Sequence, residues 1–196
     1  MYNRVLMLAT MSLALTGCVS PQISANDFSV GASLEQTAFS ELRVDRVDVV
    51  IPDKMPVSAN PGVRYPSQDT LVWWEDPPGD RKAQVRRLVA EAVQHSAERT
   101  LIGAKPVRIE IFIDQFHAMT PRARSTSLQL GVHEVQFDIV ISDVETDEII
   151  ASENDINADL RAFSGTSALL AEQNGQTQAV RIKARIDQVI SDWLHT

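Results

Sequence analysis

One thiol and four imidazoles carry most of the reactive potential of this 196-residue chain. The thiol, Cys18, stands directly after Leu15-Thr16-Gly17 at the end of an apolar run that begins at Val5. With no second cysteine to pair with, it closes no disulfide within the chain. The imidazoles are His95, His117, His133 and His195. His117 and His133, with Glu134 and Asp138, are the one grouping whose donor types suit a metal ion. Their spacing matches no compact ligand signature such as H-E-x-x-H, so no metal is assigned. Nucleophilic catalysis has no better support. The chain contains neither a G-x-S-x-G elbow nor an S-x-x-K motif, and Phe163-Ser164-Gly165-Thr166-Ser167 reads as a loop. The eight glycines are scattered and form no phosphate-cradling loop. Asp138, Asp143, Glu145, Asp147 and Glu148 gather around an expected hairpin whose tip is solvated, and the twelve-residue calcium pattern is missing. No catalytic residue or cofactor is assigned, and the chain is read as a non-enzyme.

The segment before Cys18 says more. Arg4 supplies the positive charge of a signal peptide, and Val5–Leu15 has about the length of its apolar core. No segment reaches the roughly 18 to 20 apolar residues needed to span a bilayer. Leu15-Thr16-Gly17-Cys18 resembles the lipobox of bacterial lipoproteins, where cleavage after the small residue, here Gly17, leaves a diacylated cysteine as the new N-terminus. The resemblance implies two or three acyl chains on Cys18. One chain, at about 0.8 kcal/mol per buried methylene, holds a protein only marginally, whereas two or three make attachment effectively permanent. Val19 follows where an aspartate would retain the protein at the inner membrane, so the family's sorting rule favours the outer membrane, facing the periplasm.

Cleavage removes Arg4 and no acid, which moves the net charge from −8 to −9. An acidic surface repels phosphate backbones, so nucleic acid is not a partner. Nor does it favour anionic headgroups, which leaves membrane binding to the lipid. The chain therefore divides into a signal peptide (1–17), a lipidated N-terminus and Ser/Gln/Asn-rich tether (18–40), and one globular domain (41–196).

Within that domain, Leu42–Ile51 reads as a strand ended by Pro52, followed by a long turn-rich loop from Pro52 to Pro66. Thr70–Trp74 reads as a short strand. Asp80 is placed to cap a helix in which Val85, Leu88, Val89, Ala92, Val93, Ala97 and Leu101 share a face, and Gly103 is its expected stop. Val107, Ile109, Ile111 and Ile113 alternate with Arg108, Glu110, Phe112 and Asp114, and Val135, Phe137, Ile139 and Ile141 alternate with Glu134, Gln136, Asp138, Val140 and Ser142. Glu148–Arg161 reads as a weaker returning strand carrying a bulge or an edge position. Phe163–Thr177 reads as a loop. A last helix places Ala179, Ile182, Ile186, Val189, Ile190 and Trp193 on one stripe. The expected fold is α+β, a two-layer sandwich with a mainly antiparallel sheet of about four strands covered on one face by two amphipathic helices.

Trp73-Trp74-Glu75-Asp76-Pro77-Pro78-Gly79-Asp80, Ile111–Ala118 and Gly131–Asp138 resemble recurrent stretches of a bacterial envelope lipoprotein family of unknown function. The order of elements is more distantly similar to the ABC-type transport auxiliary (YmbA-like) lipoproteins. The likeness runs over roughly residues 40 to 194 and implies a partner role in envelope or lipid-transport assemblies. Four residues are candidates for a partner surface. Trp73 and Trp74, adjacent on an extended segment, point to opposite sides, so one enters the core while the other is available for contact. Arg122 and Arg124 form a small basic loop in an acidic protein. The leading reading is a non-enzymatic accessory or assembly lipoprotein. The alternatives are a lipid or glycolipid carrier holding its ligand between sheet and helices, and a hydrolase.

Overall fold

The computed structural model describes residues 39–62, 66–126 and 131–195. The described residues all belong to one compact unit, which runs over 33–196. Cys18 and the apolar run before it lie outside the described residues.

Strand β1 (Leu42–Val50) follows a single 3-10 turn, and helix α1 spans Arg81–Thr100. Strand β2 (Lys105–His117), the one-turn helix α2 (Pro121–Arg124), and strands β3 (Val132–Asp143), β4 (Ile149–Asn157) and β5 (Leu160–Arg161) come next. Helices α3 (Gly165–Gln173) and α4 (Gln178–Leu194) complete the domain. The sheet runs β1-β2-β3-β4, with β5 pairing the start of β3. β2–β3, β3–β4 and β3–β5 are antiparallel; β1 pairs β2 in parallel. A parallel pair needs a crossover, and the segment containing α1 supplies it. The expected α+β, mainly antiparallel architecture is therefore observed, with β1 as its one parallel strand.

α1 begins as its sequence dictates. Asp80 caps it by accepting from the Ala83 N–H at 3.0 Å, and Val85, Leu88, Val89, Ala92, Val93, Ser96 and Ala97 are buried. Its end differs from expectation. The helix closes on Leu101, whose N–H donates to the Ala97 carbonyl. Gly103 acts through proximity instead: a Cβ there would lie 2.0 Å from the Glu41 carbonyl carbon. α4 is capped by Thr177, which accepts from the Val180 N–H, and buries Ile182, Ile186, Ile190 and Leu194. Ser96 Oγ donates to the Asp187 carbonyl at 3.1 Å, joining α1 to α4.

Ile109, Ile111, Ile113, Val135, Phe137, Ile139 and Ile141 from the sheet meet Val85, Val89, Val93, Ile182, Ile186 and Ile190 in one core. Each is at most 1% exposed, and burial of such a side chain is worth about 1.5–3 kcal/mol. The interlayer space that a carrier with ligand between sheet and helices requires is occupied by these side chains.

Two further expectations are corrected, and a third is met. Thr70–Trp74 makes only isolated bridges, Val57 to Leu71 and Val72 to His117, and no strand. Leu71, Val72 and Trp73 are all buried in succession, which the two-sided pleat of a half-exposed strand does not allow. Phe163–Thr177 contains α3, because Ala168-Leu169-Leu170-Ala171 are strong helix formers between Ser/Gly flanks. Gly175, at φ 72, lies just past its end. The returning strand is broken, as expected of a bulged segment: Asp155 has φ 56, and β4 shifts register against β3 twice. Among the described residues no helix is long and apolar enough to cross a membrane.

Candidate functional site

The two tryptophans separate. Trp73 is 1% exposed, packs edge-on against Phe116 at 6.0 Å and donates its Nε1–H to Asp76 Oδ2 at 2.8 Å. Trp74, half-buried, lies beneath the Arg81 guanidinium, 5.2 Å from the ring centroid. Arg81 is itself held by the carbonyls of Asp76 and Pro77 and by Gln84 Oε1. The Pro77-Pro78-Gly79 turn thus fixes the cation that covers the indole.

Arg122 and Arg124 lie on α2, whose N-cap Thr120 accepts from the Ala123 N–H. Arg124 reaches across to Glu172 of α3 in an ion pair. Arg122 is exposed and makes no ion pair among the described residues.

Trp74 and Arg124 meet at one cleft of about 440 Å³. Glu75, Met119, Pro121 and Ser125 line it from the same two segments; Gly165, Ala168, Leu169 and Glu172 of α3 and Gln178 of α4 complete it. Hydrogen bonds set these segments in place. The Met119 N–H donates to Gln178 Oε1 at 3.1 Å, and the Ala179 N–H donates to Glu75 Oε2 at 2.9 Å. Gly131 lies directly behind Met119: a Cβ there would approach Met119 Sδ to 2.5 Å. Of the nine exposed large hydrophobic residues described, five cluster at this end: Val132, Phe163, Leu169, Leu170 and Val180. Leu169 and Leu170 are 60% and 54% exposed. The Arg181 guanidinium stacks over Phe163 at 3.8 Å and donates to the Arg161 carbonyl. The hollow is thus mainly apolar, with the Arg124–Glu172 ion pair in its wall and exposed leucines beside it.

The polar groups considered for catalysis or metal binding do not converge there. His133 is fully buried, and neither ring nitrogen has a hydrogen-bond partner among the described residues. Burial first, then the nearby Arg181 and Arg124, push its pKa down to about 3, so the ring stays neutral. Glu134, next along the strand, points to the other side of the sheet, where its Oε2 lies 3.0 Å from His117 Nδ1. Asp138 accepts from the Asp155 N–H. Among the described residues no three His, Cys, Asp or Glu side chains form a group that could hold a metal ion. Asp143, expected at a solvated hairpin tip, is buried. It pairs with Lys105 at 2.9 Å and accepts from the Glu145 and Thr146 N–H groups, which together hold its pKa at about 2. Its work is to shape the turn.

Residues 42–196 match the sequence profile of a family of unknown function. The chain belongs to DUF6778. No curated protein matches it. Three solved structures are similar at 13% sequence identity. One is a candidate lipoprotein from Caulobacter crescentus CB15, with TM-score 0.31 over 81% of this chain and 93% of the other. Another is a Xanthomonas campestris protein of family DUF330, with TM-score 0.40 over 79% and 81%. The third is an uncharacterized protein, with TM-score 0.32 over 77% and 85%. The cleft of this DUF6778 domain had a partial signal in the sequence, through Trp74 and Arg124. Leu169, Leu170 and Glu172 had none, because the helix presenting them lies in a stretch that reads as loop.

Proposed function

We propose that this DUF6778 chain is a lipid-anchored envelope protein that works by binding, as a non-enzymatic accessory or assembly component, and offers the cleft between α2 and α3 to a protein partner. The observation that carries the reading is the convergence of Trp74, Arg124 and the exposed Leu169 and Leu170 on one end of the domain. Exposed leucines beside a hollow cost solvation free energy that a partner recovers. The anchor is argued from Leu15-Thr16-Gly17-Cys18, with Val19 favouring the outer membrane and a periplasmic domain. The filled interlayer core supports binding at the surface over a ligand carried within.

Gentle solubilisation and affinity purification of the lipidated chain test the partner reading. A protein recovered in constant proportion is expected, and recovery of the monomer alone argues against it. Fatty-acid labelling and fractionation of Cys18→Ser test the anchor separately. Labelling and membrane association should both disappear; their persistence refutes the lipobox.

A further inference from the structure

The cleft and its rim also describe what fits them. We infer that the partner docks through an extended peptide segment in which apolar side chains are flanked by carboxylates; this rests on the docking reading above. At about 440 Å³ the hollow is near the small end of ligand-sized cavities, with room for a few side chains and not for a folded element. Trp74, Met119 and Leu169 give it apolar walls.

Charge selects the rest. The two acids in the wall are already engaged, Glu172 with Arg124 and Glu75 with the Ala179 N–H. Asp159 nearby accepts from Val135 N–H and Asn157. Against these stand Arg122 and Arg161, both exposed and without an ion pair among the described residues, and Arg181, which stacks on Phe163 and bonds a carbonyl. Gly165 and Gln178, the first residues of α3 and α4, both line the cleft, so two helix dipoles add their positive ends. In a chain of net charge −8, this end is locally short of carboxylates. An acidic apolar segment supplies them, and a basic one is repelled.

The test uses the full lipidated chain in its own cells, with a benzophenone amino acid replacing the exposed Leu169 and, as control, Glu148 in the β3–β4 turn. After irradiation, mass spectrometry identifies what is bonded to position 169. The expected adduct is a peptide with Asp or Glu flanking the cross-linked residue, absent from the control. Arg122→Glu with Arg161→Glu should lower its yield about fivefold to tenfold, the effect of two rim charges, while the Arg→Lys pair retains it. A lipid adduct, a basic or neutral peptide, no adduct, or indifference to charge reversal overturns the inference. If Leu169→Glu abolishes co-purification and the adduct is nonetheless basic or lipid, the docking reading stands and only the partner chemistry falls.

Discussion

The two ends of the β2–β3 ladder have opposite characters. At the end where β2 begins, charge is matched inside the fold: Lys105 pairs with Asp143 at 2.9 Å, and Arg108 with Glu110 and Asp147, each at 3.2 Å. The turn there is stitched by Asp143, and the backbone of Gly103 presses against that of Glu41. At the end where β2 finishes, Arg124 pairs with Glu172 but Arg122 and Arg161 make no ion pair among the described residues, Leu169 and Leu170 face solvent, and the buried His133 ring has no hydrogen-bond partner among the described residues. The first end matches its charges within the fold; under the docking reading proposed above, the second is where a partner binds.

Acid should separate the ends most strongly. His133 has a folded pKa of about 3 against an unfolded 6.5. A histidine depressed in the fold contributes fully above pH 6.5 and loses that contribution as pH falls toward 3, at most about 4 to 5 kcal/mol at the low end. His133→Leu should flatten stability between pH 6.5 and 4 in denaturant melts; an unchanged slope contradicts the buried neutral ring. Asp143 also has a depressed pKa, about 2. Its contribution persists down to pH 3.8 and fades only below, so the matched end resists acid longer. Asp114 runs the other way. Partial burial, then Asp138 and Asp155, raise its pKa to about 6, so it opposes folding as pH rises from 3.8 through 6. Asp114→Asn should therefore stabilise the domain at neutral pH and leave it unchanged near pH 3.

Two glycines sharpen the contrast at the next scale. Gly103→Ala drives a Cβ into rigid backbone at 2.0 Å and should cost about 3 kcal/mol, read as a fall in Tm. Gly131→Ala meets the movable tip of Met119 at 2.5 Å. It should cost under about 1 kcal/mol and instead turn Met119 into the cleft, weakening partner recovery with the fold intact. Equal losses of stability in the two variants would erase the distinction between a rigid end and an adaptable one.

How far these features were legible follows from their range in sequence. The 3.6-residue stripe of α1 and α4 and the alternation of β2 and β3 announce themselves locally, and so does the Asp80 cap. The parallel pairing of β1 does not, because it depends on where a long crossover returns. Helix α3 was hidden because its flanks carry turn chemistry and its own residues lack a strong apolar face. Trp74 and Arg124 were singled out as isolated residues, with no sign that they share one wall. The cleft draws on four stretches spread between residues 74 and 178, and local pattern carries no information about their convergence.

The smallest expected effect on stability belongs to the most telling variant. Leu169→Glu at the cleft and Ile149→Glu at the β3–β4 hairpin change side chains that are 60% and 44% exposed. Each should alter stability by no more than about 0.5 kcal/mol. Quantitative recovery of the protein partner with each lipidated variant, against the unsubstituted chain, tests the central claim directly. Loss of the partner with Leu169→Glu and full recovery with Ile149→Glu is the predicted result; equal recovery from both would contradict it.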